Sequence, residues 1–112
     1  MPNTLISYNI ADRQSGKTTI AVSIVRGLLA MGHDALYVAP TQQLARDTAK
    51  IYGLPLDAVT WWFPMRIYSM RRVRTVVMDC VGRFDKSEGD PVALVKNIQA
   101  THGGPCQIIA FH

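Results

Sequence analysis

Residues 11–19, with the sequence ADRQSGKTT, contain the residue types that bind phosphate groups in proteins. Gly16 lets the backbone approach a phosphate closely, Lys17 supplies an ammonium group, and Thr18 supplies a hydroxyl for Mg²⁺. Amides at the start of a helix also attract anions, because the helix dipole concentrates about half a positive charge there. The pattern departs from a glycine-rich loop at its first position, Ala11. We expect a nucleotide phosphate to bind here, and the alternative is a polar helix start without a ligand.

Asp79 follows the apolar run TVVM and is a second candidate for metal chemistry. In nucleotide-binding proteins, an aspartate at the carboxyl end of a buried strand holds Mg²⁺ through bound water. We therefore predict Thr18 and Asp79 as the metal-binding residues, with Mg²⁺ and ATP or ADP as the bound group. Aspartate is also a common turn residue after a strand, and that interpretation stays open at this position.

The elements that would position these residues alternate between strands and helices along the chain. Short apolar runs rich in β-branched residues predict strands at residues 5–9, 35–39, 57–63, 74–79 and 106–111. Apolar residues that recur at three- and four-residue spacing predict helices at residues 17–31, 42–52 and 91–101. This alternation favours parallel pairing through right-handed crossovers. The predicted fold is an α/β three-layer sandwich with a mostly parallel sheet of four or five strands.

Capping and turn residues predict where several of these elements begin and end. Thr41 and Gly53 are predicted to cap the two ends of the second helix. Asp90 and Pro91 predict the start of the last helix. Residues 81–90 are rich in turn-forming residues and are predicted to form an exposed loop.

The composition predicts a single folded domain over residues 1–112. Hydrophobic residues make up 48% of the chain and charged residues 18%, which excludes an intrinsically disordered protein. The most apolar run, residues 18–32, is too short to span a bilayer and contains Arg26. Cys80 and Cys106 lack the spacing of metal ligands, and no export signal is evident. We expect a cytoplasmic protein without a membrane partner, a zinc site or a disulfide.

Three segments resemble the P-loop NTPases of the additional-strand class, most closely the helicases and the ATPases of viral DNA-packaging terminases. The segments are RQSGKTT at residues 13–19, VAPTQQLARD at residues 38–47 and TVVMD at residues 75–79. The resemblance implies a RecA-like P-loop core, in shortened form, with the strand at 107–111 between those at 5–9 and 75–79. For a viral protein, the expected compartment is the host cytoplasm.

The resemblance also implies roles for individual residues. Lys17, Asp79 and Arg13 would be catalytic, and Arg13 would act on the γ phosphate from within the same chain. Members of these families tolerate a residue such as Ala11 at the first loop position. The implied nucleotide-binding residues are Ala11, Asp12, Arg13, Gln14, Ser15, Gly16, Lys17, Thr18 and Thr19.

Cys80 occupies the position at which these enzymes carry a glutamate that activates the attacking water. The only glutamate in the chain is Glu88, eight residues further on. A positioned general base contributes about 10²–10⁴ to the rate. We therefore expect weak or assembly-dependent hydrolysis, with any arginine finger supplied by another copy or by a larger ATPase. His112 follows the strand after which such enzymes place a polar sensor, so the resemblance implies a sensor role for His112, and a solvated histidine is the alternative.

Residues 66–83 contain five arginines and one aspartate, which accounts for the net charge of +4. Arginines close to aromatic residues suit contacts with DNA or RNA. The predicted nucleic-acid-binding residues are Arg66, Arg71, Arg72 and Arg74. The alternatives are an acidic protein partner and a solvated basic surface. A second hypothesis is thus a non-enzymatic binding module on a degenerate P-loop scaffold. A third hypothesis is a small kinase, but the sequence contains no recognisable lid segment.

Overall fold

A computed structural model of the chain describes residues 4–9, 17–62, 73–87, 89–102 and 106–111. Its elements, in chain order, are β1 (Thr4–Asn9), α1 (Lys17–Ala30), β2 (Ala35–Ala39), α2 (Gln42–Tyr52), β3 (Val59–Trp61), β4 (Thr75–Met78), α3 (Pro91–His102) and β5 (Cys106–Phe111). Two short 3₁₀ helices, Leu56–Ala58 and Val81–Arg83, precede β3 and follow β4. Within these residues, no helix combines the length and the apolar character needed to cross a membrane.

The five described strands form one sheet in the order β1-β5-β4-β2-β3, and every neighbouring pair is parallel. In β5, Ile108 lies opposite Ile6 of β1 on one side and opposite Val76 of β4 on the other. The predicted α/β class is therefore confirmed, as is the insertion of the last strand between the first and the fourth. Since parallel strands end at the same edge of a sheet, the residues that follow β2 and β4 lie close together.

Helices cover both faces of the sheet, because alternate strand residues point in opposite directions. In β2, for example, Tyr37 and Ala39 face α1 and α2, whereas Leu36 and Val38 face the side of α3. The buried cluster beneath α1 and α2 contains Ala21, Val22, Val25, Ala35, Tyr37, Ala39, Ala45, Ala49, Leu54, Val77 and Phe111. Burial of apolar surface contributes about 25 cal/mol per Å², and it holds the three layers together.

The caps of α2 are those that the sequence predicts. The Thr41 hydroxyl accepts a hydrogen bond of 3.2 Å from the backbone N–H of Leu44. Gly53 ends the helix with a φ of 69°, and its N–H donates to the carbonyl of Ala49. A residue with a Cβ atom would adopt this left-handed conformation at a cost of about 1–2 kcal/mol, so glycine favours the stop.

β3 is shorter than the strand predicted at residues 57–63. The chain forms the 3₁₀ helix Leu56–Ala58 first, with the N–H of Ala58 donating to the carbonyl of Pro55 at 3.0 Å. Because these residues bond locally, the strand begins only at Val59. Trp62 lies beyond the strand, although its backbone N–H still donates to a carbonyl of β2 at 2.8 Å. The last predicted strand residue lies outside the described residues.

The loop predicted at residues 81–90 is only partly exposed. Val81 and Phe84 are buried, and the Phe84 ring packs against the Trp62 ring with 5.4 Å between centroids. The Trp62 indole N–H also donates to the carbonyl of Asp85 at 2.7 Å. The prediction of an exposed loop is therefore wrong for its first half, because two apolar side chains among the turn residues reach the core.

Candidate phosphate and metal site

The candidate site lies where α1 begins, with seven residues between the end of β1 and Lys17. Lys17 is the first residue of the helix, and Thr18 and Thr19 follow it in the first turn. The predicted loop residues lie outside the described part of the chain: Ala11, Asp12, Arg13, Gln14, Ser15 and Gly16. The amides of a first helical turn lack partners within the helix and carry the positive end of its dipole. The described part of the site is thus suited to an anion.

Asp79 directly follows β4 and is buried, with 2% of its surface exposed. Its backbone N–H donates to the carbonyl of Val38 at 3.0 Å, which continues the pairing with β2. Its carboxylate oxygen Oδ2 accepts a hydrogen bond of 2.8 Å from the Thr18 hydroxyl, 61 positions earlier in the chain. The structure therefore brings together the two residues that the sequence predicts as metal ligands.

Tyr37 is the second donor to the same carboxylate oxygen. Its hydroxyl donates to Asp79 Oδ2 at 2.5 Å, within the range for a charge-assisted O–H···O⁻ bond. Burial raises the pKa of the Tyr37 hydroxyl well above its usual value, and the hydrogen bond to Asp79 raises it further. The Thr48 side chain of α2 acts on this pKa in the opposite direction. Tyr37 consequently remains a proton donor at neutral pH.

The donor set of the site fits Mg²⁺. The Thr18 hydroxyl and the Asp79 carboxylate are hard oxygen donors, which Mg²⁺ prefers, and they touch each other. Magnesium in nucleotide sites uses one or two carboxylates and completes its shell with water and phosphate oxygens. In the described part of the chain, no cluster of three or more His, Cys, Asp or Glu residues could form a metal cage.

Cys80 stands beside Asp79 in an unusual backbone conformation. With φ 58° and ψ 48°, it is the one non-glycine residue with positive φ among those described. Its thiol lies 3.7 Å from Asp79 Oδ1 and is half-buried. A left-handed non-glycine residue costs about 1–2 kcal/mol, and such strain concentrates at functional sites. The position carries a thiol in place of the carboxylate that the resemblance implies.

Thr19 points away from Asp79 and contacts α2. Its hydroxyl lies 3.1 Å from the Tyr52 hydroxyl, at the exposed surface. The first turn of α1 thus has two adjacent threonines with different partners, Thr18 on the buried aspartate and Thr19 on an exposed tyrosine. Thr18 is therefore the candidate metal ligand of the two, and Thr19 is not.

The described arginines of residues 66–83 lie at opposite ends of β4. Arg74 precedes β4, is exposed, and accepts a hydrogen bond of 2.7 Å from the N–H of Gln107 at its backbone carbonyl. Arg83 is exposed in the 3₁₀ helix after Asp79. The other predicted nucleic-acid contacts, Arg66, Arg71 and Arg72, lie outside the described residues. A continuous basic surface over the whole segment therefore stays a prediction.

Sequence reasoning missed Tyr37 and Thr48. Within the strand ALYVA, Tyr37 matches the apolar pattern of a buried strand, and its hydroxyl gives no periodic signal. The register pairs Tyr37 with Val77, so its side chain lies on the same face as Asp79, two residues further along. One signal could have identified Tyr37. It lies two residues before the end of β2, and β2 pairs with the strand that precedes Asp79.

The chain was compared with protein-family models and with curated proteins. No family model matches it, and no curated protein matches it either.

Proposed function

We propose that this protein binds ATP or ADP together with Mg²⁺ at the start of α1, and hydrolyses ATP slowly or only within an assembly. The proposal is carried by the 2.8 Å hydrogen bond between Thr18 and Asp79. This contact joins the first turn of a helix to the end of a buried strand. A hydroxyl and a carboxylate in that position provide what a magnesium–phosphate complex requires.

The order of the strands supports the same proposal. β5 lies between β1 and β4, which is the arrangement that a resemblance to the additional-strand class predicts. Under this proposal the residues before α1 form the phosphate loop, with Lys17 and Arg13 providing positive charge to the phosphates. Asp79 and Thr18 would hold the magnesium, which supplies charge neutralisation at the phosphates when bound.

Slow turnover follows from the chemistry of Cys80. A thiol cannot take the place of a carboxylate that orients and deprotonates water at neutral pH, because its unperturbed pKa is about 8.5. Loss of a positioned base lowers a rate by roughly 10²–10⁴-fold, while phosphate binding depends on other groups. Binding without brisk hydrolysis is therefore the expected behaviour of the isolated chain.

Isothermal titration with MgATP tests the binding proposal. The wild-type protein is expected to give a saturable heat, and Lys17→Ala is expected to abolish most of it. Lys96→Ala, which removes an exposed lysine from α3, is the matched control and should leave the heat unchanged. Equal heats from wild type and Lys17→Ala, or no heat from wild type, would contradict the proposal.

A non-enzymatic binding module is the second candidate, and the thiol of Cys80 beside Asp79 favours it over an active hydrolase. On this proposal the arginine segment binds a nucleic acid or an acidic protein, such as a larger ATPase for which this chain is an accessory. Arg71→Ala/Arg72→Ala/Arg74→Ala should then abolish DNA binding with nucleotide affinity unchanged. Equal DNA binding by the triple variant would remove this candidate for nucleic acids.

A further inference from the structure

A buried side-chain hydrogen bond connects β2 to the candidate metal site. The Tyr37 hydroxyl donates to Asp79 Oδ2, and both residues are buried. Tyr37 is therefore the residue of β2 that holds this carboxylate.

The position of Tyr37 follows from the sheet register. Tyr37 pairs with Val77, and its ring lies beneath α1 and α2 with 1% of the residue exposed. A phenol ring is long enough to reach a residue two positions further along the neighbouring strand. Burial removes water as a competing partner, so the hydroxyl keeps its bond to Asp79.

The two oxygens of the Asp79 carboxylate have different surroundings. Oδ2 accepts from two hydroxyls, those of Thr18 and Tyr37. Oδ1 has the Cys80 thiol at 3.7 Å, a weak donor. Two strong donors on one oxygen restrict rotation of the carboxylate about its Cβ–Cγ bond. Among the described side chains, Oδ1 is therefore the oxygen with capacity left for a further ligand.

We propose that Tyr37 is a positioning residue that fixes the Asp79 carboxylate for the hydration shell of Mg²⁺, an inference that rests on the proposed nucleotide site. In this role Tyr37 would contact neither the metal nor the nucleotide. It acts through Asp79 by occupying Oδ2 and holding Oδ1 in one orientation. Partners of this kind commonly contribute roughly 10- to 100-fold to metal affinity.

The test measures the dissociation constant of ADP with Mg²⁺ and again with the metal removed by EDTA, for wild type and Tyr37→Phe. The phenylalanine keeps the buried ring and removes only the hydroxyl. We expect the gain in affinity from Mg²⁺ to fall roughly 10- to 100-fold in Tyr37→Phe, while metal-free ADP affinity stays within about 2-fold. Tyr52→Phe is the matched control, because its hydroxyl contacts Thr19 and not Asp79; it should behave as wild type.

The other possible results distinguish failure of the positioning role from failure of the proposed function. If wild type binds Mg–ADP and Tyr37→Phe shows the same metal dependence, the positioning role is wrong and the proposed function stands. If wild type does not bind Mg–ADP, both fall. A purely structural role for Tyr37 would lower metal-free and metal-bound affinity by the same factor, and this result also overturns the inference.

Tyr37→Met provides a second route if Tyr37→Phe does not fold. Methionine is unbranched and flexible, so it can fill an irregular core space without a hydroxyl while Asp79 stays in place. We expect the same loss of the magnesium-dependent gain as in Tyr37→Phe. An unchanged gain in a folded Tyr37→Met protein would contradict the positioning role.

Discussion

The two faces of the sheet bury polar side chains for different purposes. Beneath α1 and α2, the Tyr37 hydroxyl donates to Asp79, which also accepts from the Thr18 hydroxyl of α1. On the other face, the buried Gln99 of α3 accepts a hydrogen bond of 3.2 Å at its side-chain oxygen. The donor is the backbone N–H of Val73, which lies just before β4. The first set converges on the ends of the strands, where ligands bind in parallel sheets. The second stabilises a chain segment within the fold.

This difference predicts that the two faces separate function from stability. Changes on the side of Asp79 should alter ligand binding or turnover, with a modest effect on unfolding. Changes beneath α3 should alter the free energy of unfolding and leave ligand affinity untouched in the folded protein. The following substitutions test this separation.

Cys80→Glu is expected to have the largest effect, on turnover. It places a carboxylate at the position where the resemblance implies the general base, and a positioned base contributes roughly 10²–10⁴-fold. We expect phosphate release from MgATP to rise toward this range. Cys80→Gln is the control, because it has the same size without a base. Equal phosphate release from the two variants would show that the position does not serve water activation.

Ile108→Ala tests the face covered by α3. Ile108 is fully buried in β5, and truncation to alanine should lower the free energy of unfolding by about 2–5 kcal/mol. Urea denaturation measures this change. Ile51→Ala is the control on an exposed position of α2 and should change stability by no more than about 0.5 kcal/mol. Weaker nucleotide binding by folded Ile108→Ala would break the separation of the faces.

Gln99→Met is expected to have a smaller effect on stability alone. Methionine approximates the size of the side chain but leaves the Val73 N–H without this acceptor, at a cost of about 1–3 kcal/mol. Gln107→Met, at an exposed position of β5, should be nearly neutral in the same denaturation experiment. If Gln99→Met changed nucleotide affinity instead, α3 would belong to the site.

Much of this architecture could be predicted from local sequence. Thr41 and Gly53 predicted both ends of α2, because caps act through hydrogen bonds and backbone conformations of a few neighbouring residues. Thr18 and Asp79 could be placed close together because the strands that precede them, β1 and β4, end at the same edge of a parallel sheet. Tyr37 could not be found in this way, since its role depends on the register between β2 and β4. The burial of Phe84 likewise depends on Trp62, 22 positions earlier.

The central claim is that Asp79 and the start of α1 form a magnesium–nucleotide site. The most direct test is calorimetric titration of ATP with and without Mg²⁺, for wild type, Asp79→Asn and the exposed control Asp85→Asn. We predict that Mg²⁺ tightens ATP binding in wild type and in the control, and has no such effect in Asp79→Asn, because the substitution removes the charge that holds the metal. The same gain from Mg²⁺ in Asp79→Asn, or no ATP binding by wild type, would contradict the account.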